Sequence, residues 1–189
     1  MVDRILQLAA RLQNFTDSPR LAAQWFYESC PDADADLEND FVQRLKNHEP
    51  VSKILGRRGF WKSEYIISRD VLDPRADSET LIDAVLSLCP EHEKPLRFLD
   101  IGTGSGCLLF SLLSEYPAST GVGIDISEQA LSIAAQNRGD LPATLMRLDL
   151  MNDDLSQLGG FDVVVSNPPY IKSGDIETLA PGVKNFDPL

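Results

Sequence analysis

Three short stretches of the chain carry residue types that can do chemistry. The first, Leu99-Asp100-Ile101-Gly102-Thr103-Gly104-Ser105-Gly106-Cys107, is a glycine-rich turn set between two apolar runs. Glycines let a backbone turn sharply and let a ligand approach where a Cβ would collide, so the turn should cradle a nucleotide-like ligand. Its spacing departs from the dinucleotide fingerprint: the position of the third glycine is held by Cys107, and the glycine stands at Gly106 instead. That argues against NAD. Taken alone, such a turn also serves as a tight strand-to-helix connection. The second stretch, Gly121-Val122-Gly123-Ile124-Asp125, ends in a carboxylate about 20 residues beyond the turn, where folds of this kind hold a ribose diol. An acid there can equally cap the next helix, a task Ser127 could share. Asp149, after Leu148, stands at another strand end, either meeting an adenine amino group or lying in an ordinary surface loop.

The third stretch is Ser166-Asn167-Pro168-Pro169-Tyr170, at the end of a very apolar run from 161 to 165. Consecutive prolines donate no backbone hydrogen bonds and fix φ near −65°, so the loop is rigid and aimed. The Asn167 carboxamide oxygen and the Pro168 carbonyl can both accept from a substrate NH2, and Tyr170 offers a face for a planar group. The target so described is a conjugated nitrogen, a side-chain amide or an exocyclic base amine. A plain turn after a buried strand is the alternative.

The elements that must hold these groups can be read from periodicity. Ile5, Leu8, Leu12 and Phe15 predict a helix over 4–15, Ser18-Pro19 opens a second that runs to about Ser29, and Leu37, Phe41, Val42 and Leu45 sketch a third after a solvated acidic turn at 31–36. Residues 1–50 then form a helical bundle expected to recognise substrate. Gly56 and Gly59 punctuate a change of texture, and 60–67 reads as a hairpin strand within a β-hairpin connector over 51–77. From Ser78 a helix leads into strands at 97–101, 121–126, 144–150 and 161–166, with helices at 106–116 and 128–138 between them. Such alternation argues an α/β fold, a parallel sheet with helices on its faces, over 78–189.

Composition removes several classes. Asp+Glu 29 against Lys+Arg 17 gives a net charge of -12, which excludes a simple nucleic-acid-coating protein. A hydrophobic share of 43% is too high for disorder. No apolar run approaches the roughly 20 residues of a membrane helix, and Met1-Val2-Asp3-Arg4 does not read as a signal peptide, so the expected location is the cytoplasm. Cys30, Cys89 and Cys107 are widely separated and read as packed thiols rather than a disulfide framework or zinc site. His48 and His92 stand alone and are expected at the surface, with no metal role.

Asp100 to Gly106, Asp125-Ile126-Ser127 with Ala130-Leu131, and Asn167-Pro168-Pro169-Tyr170 together resemble the S-adenosylmethionine-dependent methyltransferases of the amino-group type. Upstream, Glu49-Pro50-Val51, Ile54-Leu55-Gly56, Phe60-Trp61, Leu72, Pro74-Arg75, Asp77 and Glu79 narrow the resemblance to the HemK-type protein-glutamine N5-methyltransferases, which modify the Gly-Gly-Gln glutamine of peptide chain release factors. The resemblance implies a Rossmann-like sheet. It also implies that Asp100, Gly102, Thr103, Gly104, Gly106, Asp125, Asp149 and Asn167 bind S-adenosylmethionine, and that Asn167, Pro168, Pro169 and Tyr170 bind and orient the glutamine amide, Asn167, Pro168 and Tyr170 being catalytic. Release factors are then the expected partners, with no membrane and no stable nucleic-acid binding.

The chain departs from the family pattern at Asp73, where an aliphatic residue is usual, at Ala76, usually proline, and at Gly182, usually glutamate. Only 19 residues follow Tyr170, whereas the family continues through about three more strands. The sheet would then end in strand 161–166 as an apolar edge through which the chain could self-associate. A fragment of a full enzyme, a short form that pairs its edge with another chain, and a cofactor binder without turnover are the readings this leaves. Adenine N6-methyltransferases share the Asn-Pro-Pro-Tyr loop and give the runner-up activity, on DNA or RNA. Lys53, Arg57, Arg58, Lys62 and Arg69 cluster around the connector, as a solvated hairpin or a face for a partner.

Overall fold

The structure is a computed structural model that describes residues 1–168 and 181–188. It divides into two compact units, Met1–Gly56 with residues 181–187, and Arg57 onward. The boundary falls at Gly56, which caps a helix in the left-handed region at φ 69°.

The first unit is helical: α1 (Val2–Leu12), α2 (Pro19–Ser29), α3 (Ala35–Lys46) and the short α4 (Val51–Leu55), joined by a C-terminal turn of helix, Pro181–Phe186. Pro19 opens α2 with its fixed φ where no N–H is needed. α3 begins two residues before the expected Leu37, inside the acidic stretch, because Asp34 Oδ1 accepts the Leu37 N–H at 2.9 Å and so caps it. Leu8, Leu12, Phe26 and Phe41 fill the core, with the Phe26 and Phe41 rings 4.6 Å apart. Lys53 and Asp187, both buried, form an ion pair at 3.2 Å that fastens the C-terminal turn to α4. Gly182 lies where a Cβ would stand 3.0 Å from the His48 carbonyl, so its departure from the family residue matches a tight backbone approach.

The second unit opens with a hairpin, β1 (Arg57–Phe60) and β2 (Ser63–Ile66), followed by a 3-10 turn (Ala76–Ser78), α5 (Glu79–Leu88), β3 (Arg97–Ile101), α6 (Cys107–Glu115), β4 (Thr120–Asp125), α7 (Glu128–Asn137), β5 (Ala143–Arg147) and β6 (Val163–Ser166). The single strand expected over 60–67 is corrected here. Its chain reverses at Trp61, which takes φ 54° with no glycine or asparagine to announce the turn. The hairpin groups with the sheet rather than between the units. Phe60 and Tyr65 enter the same core as Ile82, Phe98, Phe110 and Tyr116.

Strands β3 to β6 pair in parallel in the order β5-β4-β3-β6. The chain builds outward from β3 through β4 to β5 and then crosses back to lay β6 on the other side of β3. The crevice between the carboxyl ends of β3 and β6 is therefore the point where strand order reverses, the usual ligand seat of such sheets. β6 is an edge among the described residues, with Val164 55% exposed. Among them no helix is long and apolar enough to cross a membrane, and no cluster of His, Cys, Asp or Glu could hold a metal. His92 is not a free surface residue but half-buried, its ring 5.0 Å from that of Tyr116.

Candidate active site

The expected site residues lie in a row along the carboxyl ends of the strands, Asp149 after β5, Asp125 ending β4, Asp100 with the glycine turn at β3, and Asn167 after β6. The glycine turn is pinned by its own backbone. The Gly102 and Thr103 N–H groups both donate to the Ile124 carbonyl at 2.9 Å, and Gly106 N–H donates to the Thr103 carbonyl at 2.8 Å. Gly104 N–H donates to Asp125 Oδ2 at 2.9 Å. Gly102, Gly104 and Gly106 all sit at positive φ, 72°, 55° and 81°, a geometry that side chains resist. At Gly102 nothing lies within 4 Å of where a Cβ would be, so open space borders the turn.

This bonding decides what the turn can hold. A phosphate cradle offers free N–H groups at a helix N-terminus, but here those of Gly102, Thr103, Gly104 and Gly106 are spent internally. The first turn of α6 already faces a carboxylate, that of Asp100. Two acids beside a turn whose Gly102, Thr103, Gly104 and Gly106 N–H groups are already bonded suit a ligand that is cationic or rich in hydroxyls.

Asp100 is 1% exposed. Its Oδ2 accepts from Thr103 Oγ1 at 2.8 Å, while no hydrogen bond reaches its buried Oδ1. Burial pushes its carboxyl up to about 6, against the pull of the Thr103 hydroxyl and the Leu109 N–H, with the Asp125 charge adding to the rise. Asp125 Oδ1 also accepts the Ser127 N–H at 2.9 Å, so one carboxylate joins the end of β4 to the glycine turn. Ser127 Oγ, not Asp125, caps α7, accepting from Ala130 N–H at 3.1 Å. Cys107 is inert as a nucleophile, burial pushing its thiol up to about 12.

Asn167 is half-buried, and its Nδ2 donates to Ser78 Oγ at 3.0 Å. That contact fixes the amide orientation, turning Oδ1 the opposite way. Next to it, Ser166 Oγ donates to the Ile101 carbonyl at 2.8 Å, tying the end of β6 to the end of β3. Asp149 faces its own turn, accepting from Met151 N–H at 2.9 Å and Asn152 Nδ2 at 2.7 Å, and the Asn152 amide chiefly holds its carboxyl below the usual range. Pro169 and Tyr170 lie outside the described residues.

Of three residues that frame this site, only Glu79 is among those that carry the family resemblance. Ser78 reads only as a helix start, Glu79 accepts the Trp61 N–H at 2.9 Å from the same turn, and Asn137 closes α7. Asp73, which departs from the family pattern, is 5% exposed and lies 3.8 Å from the Arg58 guanidinium, whose Nε also donates to the Pro74 carbonyl.

Residues 99–168, which hold the glycine turn and both acids at the switch point of the parallel sheet, match the family model described as a methyltransferase domain. Methyltransferases of this class draw the methyl group from S-adenosylmethionine, a phosphate-free sulfonium nucleoside that the bonding of the turn fits. The chain is 43% identical over 152 residues to the release factor glutamine methyltransferase of Caulobacter vibrioides, covering 79% of this chain and 52% of that protein. Against the protein of the same description from Rhodospirillum rubrum the identity is 45% over 148 residues, covering 78% and 45%. Among solved structures, the tRNA (uracil-54, C5)-methyltransferase of Pyrococcus abyssi, in complex with S-adenosyl-L-homocysteine, is similar over 60% of this chain and 28% of that one, with 20% identity and a TM-score of 0.47. By sequence the chain is similar to the release factor glutamine methyltransferases, and it spans about half the length of the curated relatives it matches.

Proposed function

We propose that the protein transfers a methyl group to the side-chain amide nitrogen of the glutamine in the Gly-Gly-Gln motif of peptide chain release factors, in the cytoplasm. The observation that carries this reading is the Asn167 carboxamide, held by Ser78 at the strand-order reversal beside the glycine turn. S-adenosylmethionine, when bound, supplies a methyl group on a positively charged sulfur. Gly102, Thr103, Gly104 and Gly106 would border it, Asp125 would hold its ribose, and Asp100 would face its cationic end, while Asp149, its carboxylate bonded within its own turn, would approach the adenine only by giving up those bonds.

An amide nitrogen is a poor nucleophile because its lone pair is conjugated, so this chain must work by orientation. Asn167 Oδ1 and the Pro168 carbonyl accept from the two amide protons and fix the plane of the substrate. Holding the nitrogen in line with the methyl carbon is worth up to about 7–11 kcal/mol. The same two acceptors stabilise the positive charge that grows on nitrogen as the bond forms.

The test is mass spectrometry of the Gly-Gly-Gln peptide after incubating a release factor with this chain and S-adenosylmethionine. One added methyl is expected. Asn167→Ala should lower the rate at least a hundredfold while S-adenosylhomocysteine affinity stays within threefold. Full transfer by Asn167→Ala would remove the role given to its amide, and methylation of an adenine in place of the peptide would replace the substrate.

A further inference from the structure

One side chain outside the residues so far given a role uses every hydrogen-bonding group it has on two pieces of backbone. Asn137, the last residue of α7, accepts the Ile66 N–H on Oδ1 at 2.7 Å and returns an Nδ2 hydrogen to the Ile66 carbonyl at 2.8 Å. The amide thus pairs with β2 as a neighbouring strand would. Its second Nδ2 hydrogen goes to the Ser105 carbonyl at 2.9 Å.

Ser105 is 3% exposed and lies between Gly104 and Gly106, both at positive φ. The peptide unit joining Ser105 to Gly106 turns over by changing ψ of Ser105 and φ of Gly106, and glycine takes either sign of φ readily. Here the unit joining Ser105 to Gly106 is gripped at both ends, its carbonyl by Asn137 and its N–H by the Thr103 carbonyl. Without Asn137 a buried carbonyl would be left unpaired, and turning over would cost only the bond to Thr103. The hairpin is the other anchor, since Tyr65 is hydrogen-bonded to Ser111 of α6 at 2.9 Å and Trp61 Nε1 donates to Glu115 at 2.6 Å.

We infer that Asn137 is a positioning residue for the cofactor turn, setting the Ser105 peptide and coupling the turn to the β1–β2 hairpin. The inference rests on the cofactor site proposed above. It acts through backbone and touches no reacting atom.

Calorimetry with S-adenosylhomocysteine and hydrogen exchange at the Ile66 amide test it. The unaltered chain should bind and should protect Ile66 N–H. Asn137→Ala should bind on the order of tenfold more weakly, the loss of one ordinary hydrogen bond at the turn, and should expose Ile66 to exchange. Asn137→Asp keeps the acceptor for Ile66 N–H but loses both donors, so Ile66 should stay protected while affinity falls as in the alanine variant. Affinity restored by aspartate would overturn the inference, because anchoring the hairpin would then suffice. So would an Ile66 amide that exchanges freely in the unaltered chain. Equal binding by all three proteins would overturn it alone, whereas no binding by the unaltered chain would take the cofactor reading down as well.

Discussion

Replacing Asp100 with asparagine should stabilise the ligand-free protein while weakening its cofactor site. The carboxyl ionises near 3.8 in an open chain and at about 6 in the fold, where burial disfavours its charge. Its contribution to folding is therefore fully favourable below about pH 4, where both states hold the proton, and is lost as pH rises through 6. The interval corresponds to about 3 kcal/mol of penalty at pH 8. Asparagine carries no charge, and its carbonyl can still accept from Thr103 Oγ1. Its NH2 group then stands where Oδ1, which accepts no hydrogen bond, stands now, and the cost of burying those donors unpaired returns on the order of 1 kcal/mol. The net gain at pH 8 is about 1–2 kcal/mol, or roughly 3–6 °C in melting temperature for a chain of this size. At pH 4.5 the carboxyl is already protonated and the gain should vanish or reverse. Thermal unfolding of both proteins across pH 4.5 to 8 makes the comparison, and a difference that does not change with pH would refute the reasoning. Calorimetry with S-adenosylhomocysteine on the same samples should show binding weakened at least tenfold, since the buried carboxylate no longer faces the ligand.

Two further substitutions probe the frame around the site. Ser78→Ala removes the partner of Asn167 Nδ2 and should lower kcat about tenfold with cofactor KM unchanged, whereas Ser78→Thr, which keeps the hydroxyl, should restore most of the rate; equal kcat in all three would count against the positioning role. Gly106→Ala would put a Cβ 2.1 Å from the Phe110 ring at φ 81°, and Phe110 is 1% exposed with nowhere to move. A loss of about 2–4 kcal/mol in chemical denaturation is expected, and a loss below 0.5 kcal/mol would show that the turn can relax.

The parts of the site legible in the sequence are those whose function constrains a single short segment. The glycine turn needs special backbone geometry, which glycine announces locally, and the strands before it and before Asn167 announce themselves by apolar runs. Ser78, Glu79 and Asn137 act across 89, 18 and 71 or 32 residues of chain, as hydrogen-bond partners whose types are common anywhere. Nothing in the neighbourhoods of Ser78 and Asn137 distinguishes them, and Glu79 stands out only through the family resemblance. The hairpin was legible as extended chain but its turn was not, because Trp61 adopts positive φ under the constraint of its backbone bond to Glu79 rather than by local preference. Asp149 shows the converse: its position after a strand is conspicuous in the sequence, yet its carboxylate faces its own turn.

Side-chain pairing also bears on which substrate the site serves. The cluster Lys53, Arg57, Arg58, Lys62 and Arg69 is the one basic concentration in a chain of net charge -12, and a nucleic-acid substrate would have to use it. In the fold, Lys53 is buried against Asp187, Arg57 pairs with Glu64 at 3.1 Å, Arg58 lies by Asp73, and Lys62 meets Glu115 at 2.6 Å. The Lys62 contact chiefly accounts for the lowered Glu115 carboxyl. Each of these four cations already has a carboxylate, so a phosphate would have to displace an anion rather than counterions, and the gain that drives nucleic-acid binding would be largely forfeited. A protein side-chain amide asks for none of this. In the reading proposed above it needs only two carbonyl-type acceptors, the role given to Asn167 Oδ1 and the Pro168 carbonyl.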